Sequence, residues 1–177
     1  MIPDQVLDDG FAPLIVTAEL PGDLKAWAER LRQACYPAER NRVEAHVTLF
    51  HALPPSCEAE LRDLLAEAAR GHPPLPARLQ GAMALGSGTA LRISSPVMTA
   101  LRENLADRFR GLLAPQDQHA PRLHVTVQNK VPEKAARALQ AELAGTVQPR
   151  DFRFPGLLLH RYHDGRWEFV KRWSFRG

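Results

Sequence analysis

The sequence predicts an α+β fold of two similar, pseudo-symmetric lobes, and three observations carry that prediction. Short β-rich apolar runs alternate with amphipathic stretches in the order strand, helix, strand, helix, strand, and the order occurs twice. The triplet His-Val-Thr stands on the equivalent strand of each half, beginning at His46 and at His124, 78 residues apart. An Asp-Gly pair near the end then turns the chain into one additional strand.

The elements follow in order. Ala12 to Leu20 is an apolar, β-branched run that suits a buried strand. Pro21-Gly22-Asp23 breaks it and opens a helix in which Leu24, Trp27, Leu31 and Cys35 recur at helical spacing. Ala45 to His51 is a short strand stopped by Pro54-Pro55. Ser56 is the N-cap candidate for a second helix marked by Leu61, Leu64, Leu65 and Ala68. Ala77 to Leu85 reads as the next strand.

The second pass begins with the strand Thr89 to Ser94. Ser95-Pro96 supplies an N-cap and a proline at the first helical position, ahead of an apolar stripe at Val97, Leu101, Leu105, Phe109 and Leu112. Leu123 to Gln128 is a strand, and Pro132-Glu133 opens a helix through Leu139 and Leu143, with Gly145 as its C-cap. Phe152 to Tyr162 reads as one strand, Asp164-Gly165 as a hairpin turn, and Trp167 to Phe175 as the last strand. A shift of about 78 residues overlays the two halves, as a duplication would. The reading is one domain over residues 1–177, with lobes near 12–86 and 87–177 between which strands can exchange.

At 177 residues, with 45% hydrophobic and 24% charged side chains, the chain has the composition of an ordinary globular domain with a sizeable core. Its formal charge of +3 favours anionic partners without the excess of a polybasic protein. Cys35 and Cys57 form no paired-cysteine motif, so no disulfide scaffold is expected and the expected setting is reducing and cytoplasmic. The opening MIPDQVLDDG lacks the apolar core of a signal peptide, and no apolar run reaches the roughly 18 residues of a membrane helix. No HExxH, HxH or CxxC occurs, and His160 and His163 would point to opposite faces of a strand, so no metal site is expected.

The chemistry lies in the two triplets. On a strand, residues i and i+2 share a face, so His46 with Thr48, and His124 with Thr126, each present an imidazole and a hydroxyl together. Two such faces meeting in one groove would surround a ligand with two imidazoles and two hydroxyls. Opening a cyclic phosphodiester needs a base to activate water and an acid to protonate the leaving oxygen, and imidazole serves either role near neutral pH. Threonine hydroxyls can donate to the non-bridging oxygens as charge shifts. Seven histidines and six threonines produce about 0.2 such matches by chance, so two identical ones at equivalent strands are specific.

The paired motif resembles the two-histidine (2H) phosphoesterase superfamily, and AHVTLFHALP, GSGTALRIS and LLLHRYHDGRWEFVKRWSF look like its bacterial 2′-5′ RNA ligase branch. The resemblance implies two antiparallel sheets flanked by helices around a central basic groove. It implies 2′,3′-cyclic phosphodiesterase activity on RNA 3′ ends or small cyclic nucleotides, with RNA ligation as the reverse reaction. No cofactor, metal or obligate protein partner is implied. His46 and His124 match the catalytic pair, and Thr48 and Thr126 the phosphate-binding hydroxyls. By the same analogy His46 is the acid and His124 the base, although the near-symmetry of the motifs leaves that division open. Relatives often carry an arginine five residues after the motif histidine, where this chain has His51 and Asn129, with Lys130 next.

Arg92, Arg122 and Lys130 are candidates for phosphate contact, and Tyr162 for lining the groove. Phe50, Phe152, Phe154, Trp167 and Trp173 are candidates for stacking on a base. Two other readings remain open: a module that binds RNA ends or nucleotides without turnover, and an enzyme of the same type acting on another small cyclic or 2′-5′ phosphoester.

Overall fold

The computed structural model describes residues 11–177, so the reading of the first ten residues lies outside the described part. In chain order the strands and α-helices are β1 (Leu14–Ala18), α1 (Gly22–Cys35), β2 (Val47–Leu53), α2 (Glu58–Gly71), β3 (Leu75–Leu85), β4 (Gly88–Ser94), α3 (Pro96–Arg108), β5 (His124–Gln128), α4 (Glu133–Thr146), β6 (Arg150–Phe154), β7 (Gly156–His163) and β8 (Arg166–Ser174). They build two four-stranded antiparallel sheets, β2-β1-β7-β8 and β5-β4-β3-β6, with the helices packed against them. This is the α+β architecture read from the sequence.

The two sheets trade strands. In each, the HVT strand lies at one edge beside the first strand of its own half, β2 beside β1 and β5 beside β4. The third position is filled from the other half: β7 pairs with β1, and β3 pairs with β4. The exchange hinges on Pro155, where the sequence predicts one strand over Phe152 to Tyr162. Proline has no N–H for a ladder, and the chain leaves one sheet as β6 and enters the other as β7. Gly156 is required at that crossing, since a Cβ there would lie 2.5 Å from the Trp173 carbonyl oxygen.

Two caps differ from the sequence expectation. Ser95 does cap α3, its Oγ accepting from the Met98 N–H at 3.2 Å. Ser56 does not cap α2, because a short 3₁₀ turn (Pro55–Cys57) leads into the helix and the Glu58 N–H bonds back to the Pro55 carbonyl. Gly145 lies inside α4, which ends at an extended Val147 whose N–H returns to the Leu143 carbonyl. Asp164 and Gly165 take φ values of 47° and 87°, the left-handed pair that a two-residue hairpin demands.

β2 is an edge strand, and a buried network covers its free side. The Asp117 carboxylate accepts from the N–H groups of His51 and Ala52 at 2.9–3.0 Å and from His51 Nδ1 at 2.9 Å. Arg102, 1% exposed, donates to the carbonyls of Leu49 and Asp117 and lies over the Phe50 ring. Burial alone would raise the Asp117 pKa. The hydrogen bonds from the His51 side chain and the two N–H groups win, and they hold the carboxyl below its ordinary value. We expect Asp117→Ala to lower the unfolding free energy by about 2–4 kcal/mol, measured by urea denaturation, because it leaves two strand N–H groups unpaired. A loss under about 0.5 kcal/mol would mean that water replaces the carboxylate at no cost.

Candidate functional site

The two HVT segments are held in the same way. His46 immediately precedes β2 and His124 begins β5. Nδ1 of His46 lies 2.6 Å from the carbonyl oxygen of Glu44, and Nδ1 of His124 lies 2.6 Å from that of Arg122. A carbonyl oxygen only accepts, so each Nδ1–H donates. Each neutral ring therefore carries its lone pair on Nε2, and each charged ring a transferable proton there. The tautomer and the ring orientation are set identically by the main chain two residues upstream.

The sheet register places the neighbours. Thr48 pairs with Thr17 on β1, Thr17 with Leu158 on β7, and Leu158 with Arg172 on β8, so these four share one face of the first sheet. On the second sheet Arg92 pairs directly with His124, and Ala90 with Thr126. The guanidinium that the sequence offered as a phosphate contact thus emerges beside the second histidine on its own face. Arg122 is exposed and supplies the carbonyl that holds His124. Lys130 is exposed in a turn with φ of 53°, and its carbonyl is taken by Arg40. Tyr162 is exposed on β7 and pairs with Trp167 on β8. His51 is bound to Asp117 on the covered edge of β2. Phe50, Phe152, Phe154 and Trp173 are buried in the core, which removes them as stacking groups and leaves Trp167.

Sequence reasoning missed Arg32. It is 3% exposed and donates from Nε and Nη2 to the Asn41 side-chain oxygen at 3.2 and 3.0 Å, and from Nη1 to the Thr126 carbonyl at 2.6 Å. One guanidinium thus ties α1 to the segment leading into His46 and to the second motif on the other sheet. The signal was present: the buried line of α1 is Leu24, Ala28, Arg32, spaced by four, and a cation on a buried helical line has to have a buried partner.

His160 also belongs here. Its Nε2 lies 3.2 Å from the Thr17 hydroxyl, and Trp167 stands between it and His46, with ring centroids 5.3 and 4.4 Å away. Burial pushes the His46 pKa down to about 4, and the positive charges of Arg32, His160 and His124 add to that against the Glu44 hydrogen bond. Burial likewise pushes His160 down to about 4. Both rings are neutral at pH 7 in the unliganded protein. A pocket of about 480 Å³ opens beside His46, walled by Thr17, Leu158, His160, Trp167 and Phe169. Among the described residues no group of three histidine, cysteine or carboxylate side chains converges as a metal site would require, and no helix is long and apolar enough to cross a membrane.

Comparison with known proteins decides the kinship. A family model for the 2′-5′ RNA ligase superfamily matches residues 20–166, a span that contains both motifs. The chain belongs to the 2′-5′ RNA ligase superfamily. Among solved structures it superposes on TT0787 of Thermus thermophilus with a TM-score of 0.64, at 19% identity, covering 93% of this chain and 98% of that one. On E. coli LigT complexed with NADP+ the TM-score is 0.61, at 20% identity and 94% and 99% coverage. The complex of LigT with 3′-AMP matches at 0.59, 18% identity, and 94% and 99% coverage. No curated protein sequence matches the chain. The fold is therefore that of the LigT-like 2H phosphoesterases, and membership in the superfamily points to phosphoesterase or ligase chemistry.

Two outcomes follow from this geometry. Arg32→Met should lower the unfolding free energy by about 3 kcal/mol in denaturant melts, with Arg32→Lys recovering less than half, because one ammonium cannot span both acceptors. The two depressed histidines set the second. Between about pH 6.5 and 4 the unfolded chain takes up protons on His46 and His160 that the folded chain refuses, so stability falls as pH falls through that window. Each contributes on the order of 2–3 kcal/mol of that fall. His160→Gln should flatten the pH dependence of Tm relative to wild type, and parallel curves would contradict the assignment.

Proposed function

We propose that the protein is a metal-independent phosphodiesterase that opens 2′,3′-cyclic phosphates of RNA 3′ ends or small nucleotides and leaves the phosphate on the 2′ oxygen. The single observation that carries this reading is the twin arrangement of His46 and His124, each donating Nδ1–H to a carbonyl and leaving Nε2 for proton transfer, each with a threonine hydroxyl two residues on. Of the related proteins, E. coli LigT is seen with 3′-AMP, ATP and NADP+, which supports a nucleotide as ligand here.

In the proposed reaction His124 Nε2 takes a proton from water, the water oxygen bonds to phosphorus, and the bond from phosphorus to the 3′ oxygen breaks. His46 Nε2 gives its proton to that leaving oxygen. The histidines end with protonation states exchanged, and solvent restores them. Thr48 and Thr126 donate to the non-bridging oxygens, and Arg92 beside His124 adds positive charge where negative charge builds. His46 is neutral in the empty site and gains its proton as the phosphodiester anion supplies a counter-charge. A 5′-hydroxyl attacking in place of water opens the same ring and joins two RNA ends through a 2′-5′ linkage, with the 3′ oxygen leaving as before. The free cysteines Cys35 and Cys57 fit a cytoplasmic setting.

His51 stands where relatives often carry an arginine, and it is spent on Asp117, so it brings no charge to the groove. This favours short cyclic substrates over long RNA. In excess EDTA, wild-type protein is expected to convert 2′,3′-cyclic nucleotides to 2′-monophosphates, and His46→Ala or His124→Ala to lose about 10²–10⁴-fold in kcat. Full activity in either variant would refute the mechanism. Nucleotide binding without turnover would instead identify a binding module.

A further inference from the structure

We propose that Glu29 is a positioning residue for His46, acting through the peptide group between Glu44 and Ala45. The inference rests on the phosphodiesterase reading for its effect on turnover, whereas the hydrogen-bond chain stands on its own geometry.

One face of α1 grips the segment that delivers His46. Lys25, Glu29 and Arg32 stand at spacings of four and three, as neighbours on one helical face do. Lys25 Nζ is 2.6 Å from the Glu44 carboxylate, the Glu29 carboxylate accepts the Ala45 N–H, and Arg32 holds the Asn41 side chain. Of these three, Glu29 bonds the main chain of the segment, and it does so directly beside the motif. The N–H that it accepts and the carbonyl that accepts His46 Nδ1–H belong to the same peptide group. Carboxylate, peptide and imidazole therefore form one chain of two hydrogen bonds.

Such a chain polarises. A charged acceptor on the N–H shifts electron density toward the carbonyl oxygen, which strengthens the bond that this oxygen receives from the ring. No proton crosses the peptide. The ring is held more firmly in the Nδ1–H tautomer, and the added negative charge on the carbonyl favours the imidazolium when it forms. The surroundings of His46 oppose that charge, by burial first and then by Arg32 of α1, His160 of β7 and His124 of β5. The Lys25–Glu44 ion pair and exposed Arg42 lie along the same pocket. Glu29 acts against this set twice, through the peptide and by its attraction to the Arg32 guanidinium.

The second motif has the carbonyl without the carboxylate. The shift of 78 residues that overlays the two halves carries Glu29 onto Asp107, which is exposed and bonded to Arg110. Glu103, the other carboxylate of α3, is bonded to Arg102. Two motifs with the same bond to a main-chain carbonyl thus differ in what stands behind that carbonyl, and the charge stands behind the more buried imidazole.

Imidazole ¹⁵N–¹H spectra of the full chain, labelled on histidine, read the two Nδ1–H groups separately without requiring turnover. Glu29→Gln is isosteric, can still accept the Ala45 N–H, and removes the charge. We expect it to move the His46 Hδ1 resonance upfield and to leave that of His124 in place. With a 2′,3′-cyclic nucleotide the same variant should lose about three- to tenfold in kcat, with KM within about twofold. The limb of the kcat–pH profile that needs protonated His46 should move to lower pH by about half to one unit, which a loss of folded protein would not produce. Asp107→Asn should change none of these. An unmoved His46 resonance, an equal movement at both histidines, or wild-type kcat in Glu29→Gln would overturn the proposal. Deuterium exchange of the Ala45 amide in the wild-type protein tests the same bond without a substitution, and exchange as fast as that of an unpaired loop amide would also overturn it. A shifted His46 resonance in a protein that hydrolyses no cyclic nucleotide would uphold the hydrogen-bond chain while refuting the phosphodiesterase reading.

Discussion

The Arg32 guanidinium is the constraint on which the site's geometry depends. A buried cation is tolerable only when its donors are met, and here three N–H groups are consumed by Asn41 and by the Thr126 carbonyl, with the Tyr36 ring 4.4 Å from its centre. Asn41 belongs to the segment that delivers His46, and Thr126 belongs to the other motif. The distance between the two motifs is therefore governed by one rigid planar group and not by the soft edges of two separate sheets. Burial is the main cause of the lowered His46 pKa, and the same cation adds to it, so the element that aligns the imidazoles also disfavours charge on one of them.

The exchange of β3 and β7 serves the same end at larger scale. If each half had kept its own third strand, each sheet would be a self-contained unit and the groove a joint between two bodies. With β7 and β8 completing the sheet of the first motif and β3 and β6 completing that of the second, each half is locked by the other, and buried residues of both sheets form one continuous core. The Pro155-Gly156 crossing makes this possible, because proline ends one ladder and glycine permits the close approach to Trp173 that starts the next.

What the sequence made legible was local. The HVT strands, the Ser95 cap and the Asp164-Gly165 turn depend on neighbours within a few residues, and the pattern of apolar positions located each α-helix among the described residues. The misreadings share a different cause. Whether Phe152 to Tyr162 is one strand or two depends on which sheets accept it, a property of partners far away in the chain. Arg32 was missed because its acceptors lie 9 and 94 residues away. His51 was placed at a strand end, whereas β2 runs on to Leu53 and Asp117, 66 residues later, closes over it. Phe50 and Trp173 read as stacking candidates by residue type alone, and only packing separates them from Trp167.

The two motifs are alike in backbone and hydrogen bonding, so any difference in what they do must come from their surroundings. His46 is half-buried against Trp167 and lies in the field of Arg32, a setting that penalises charge. His124 has Arg92 at its side and opens toward solvent-exposed Arg122. A duplicated site with a symmetric ligand could keep both sides equal. Opening a cyclic phosphate is not symmetric, since a carbon-bearing oxygen leaves on one side and water enters on the other. The strand β8, which follows the Asp164-Gly165 turn, carries Trp167 and Phe169, and this aromatic wall on the His46 side is what breaks an otherwise two-fold arrangement.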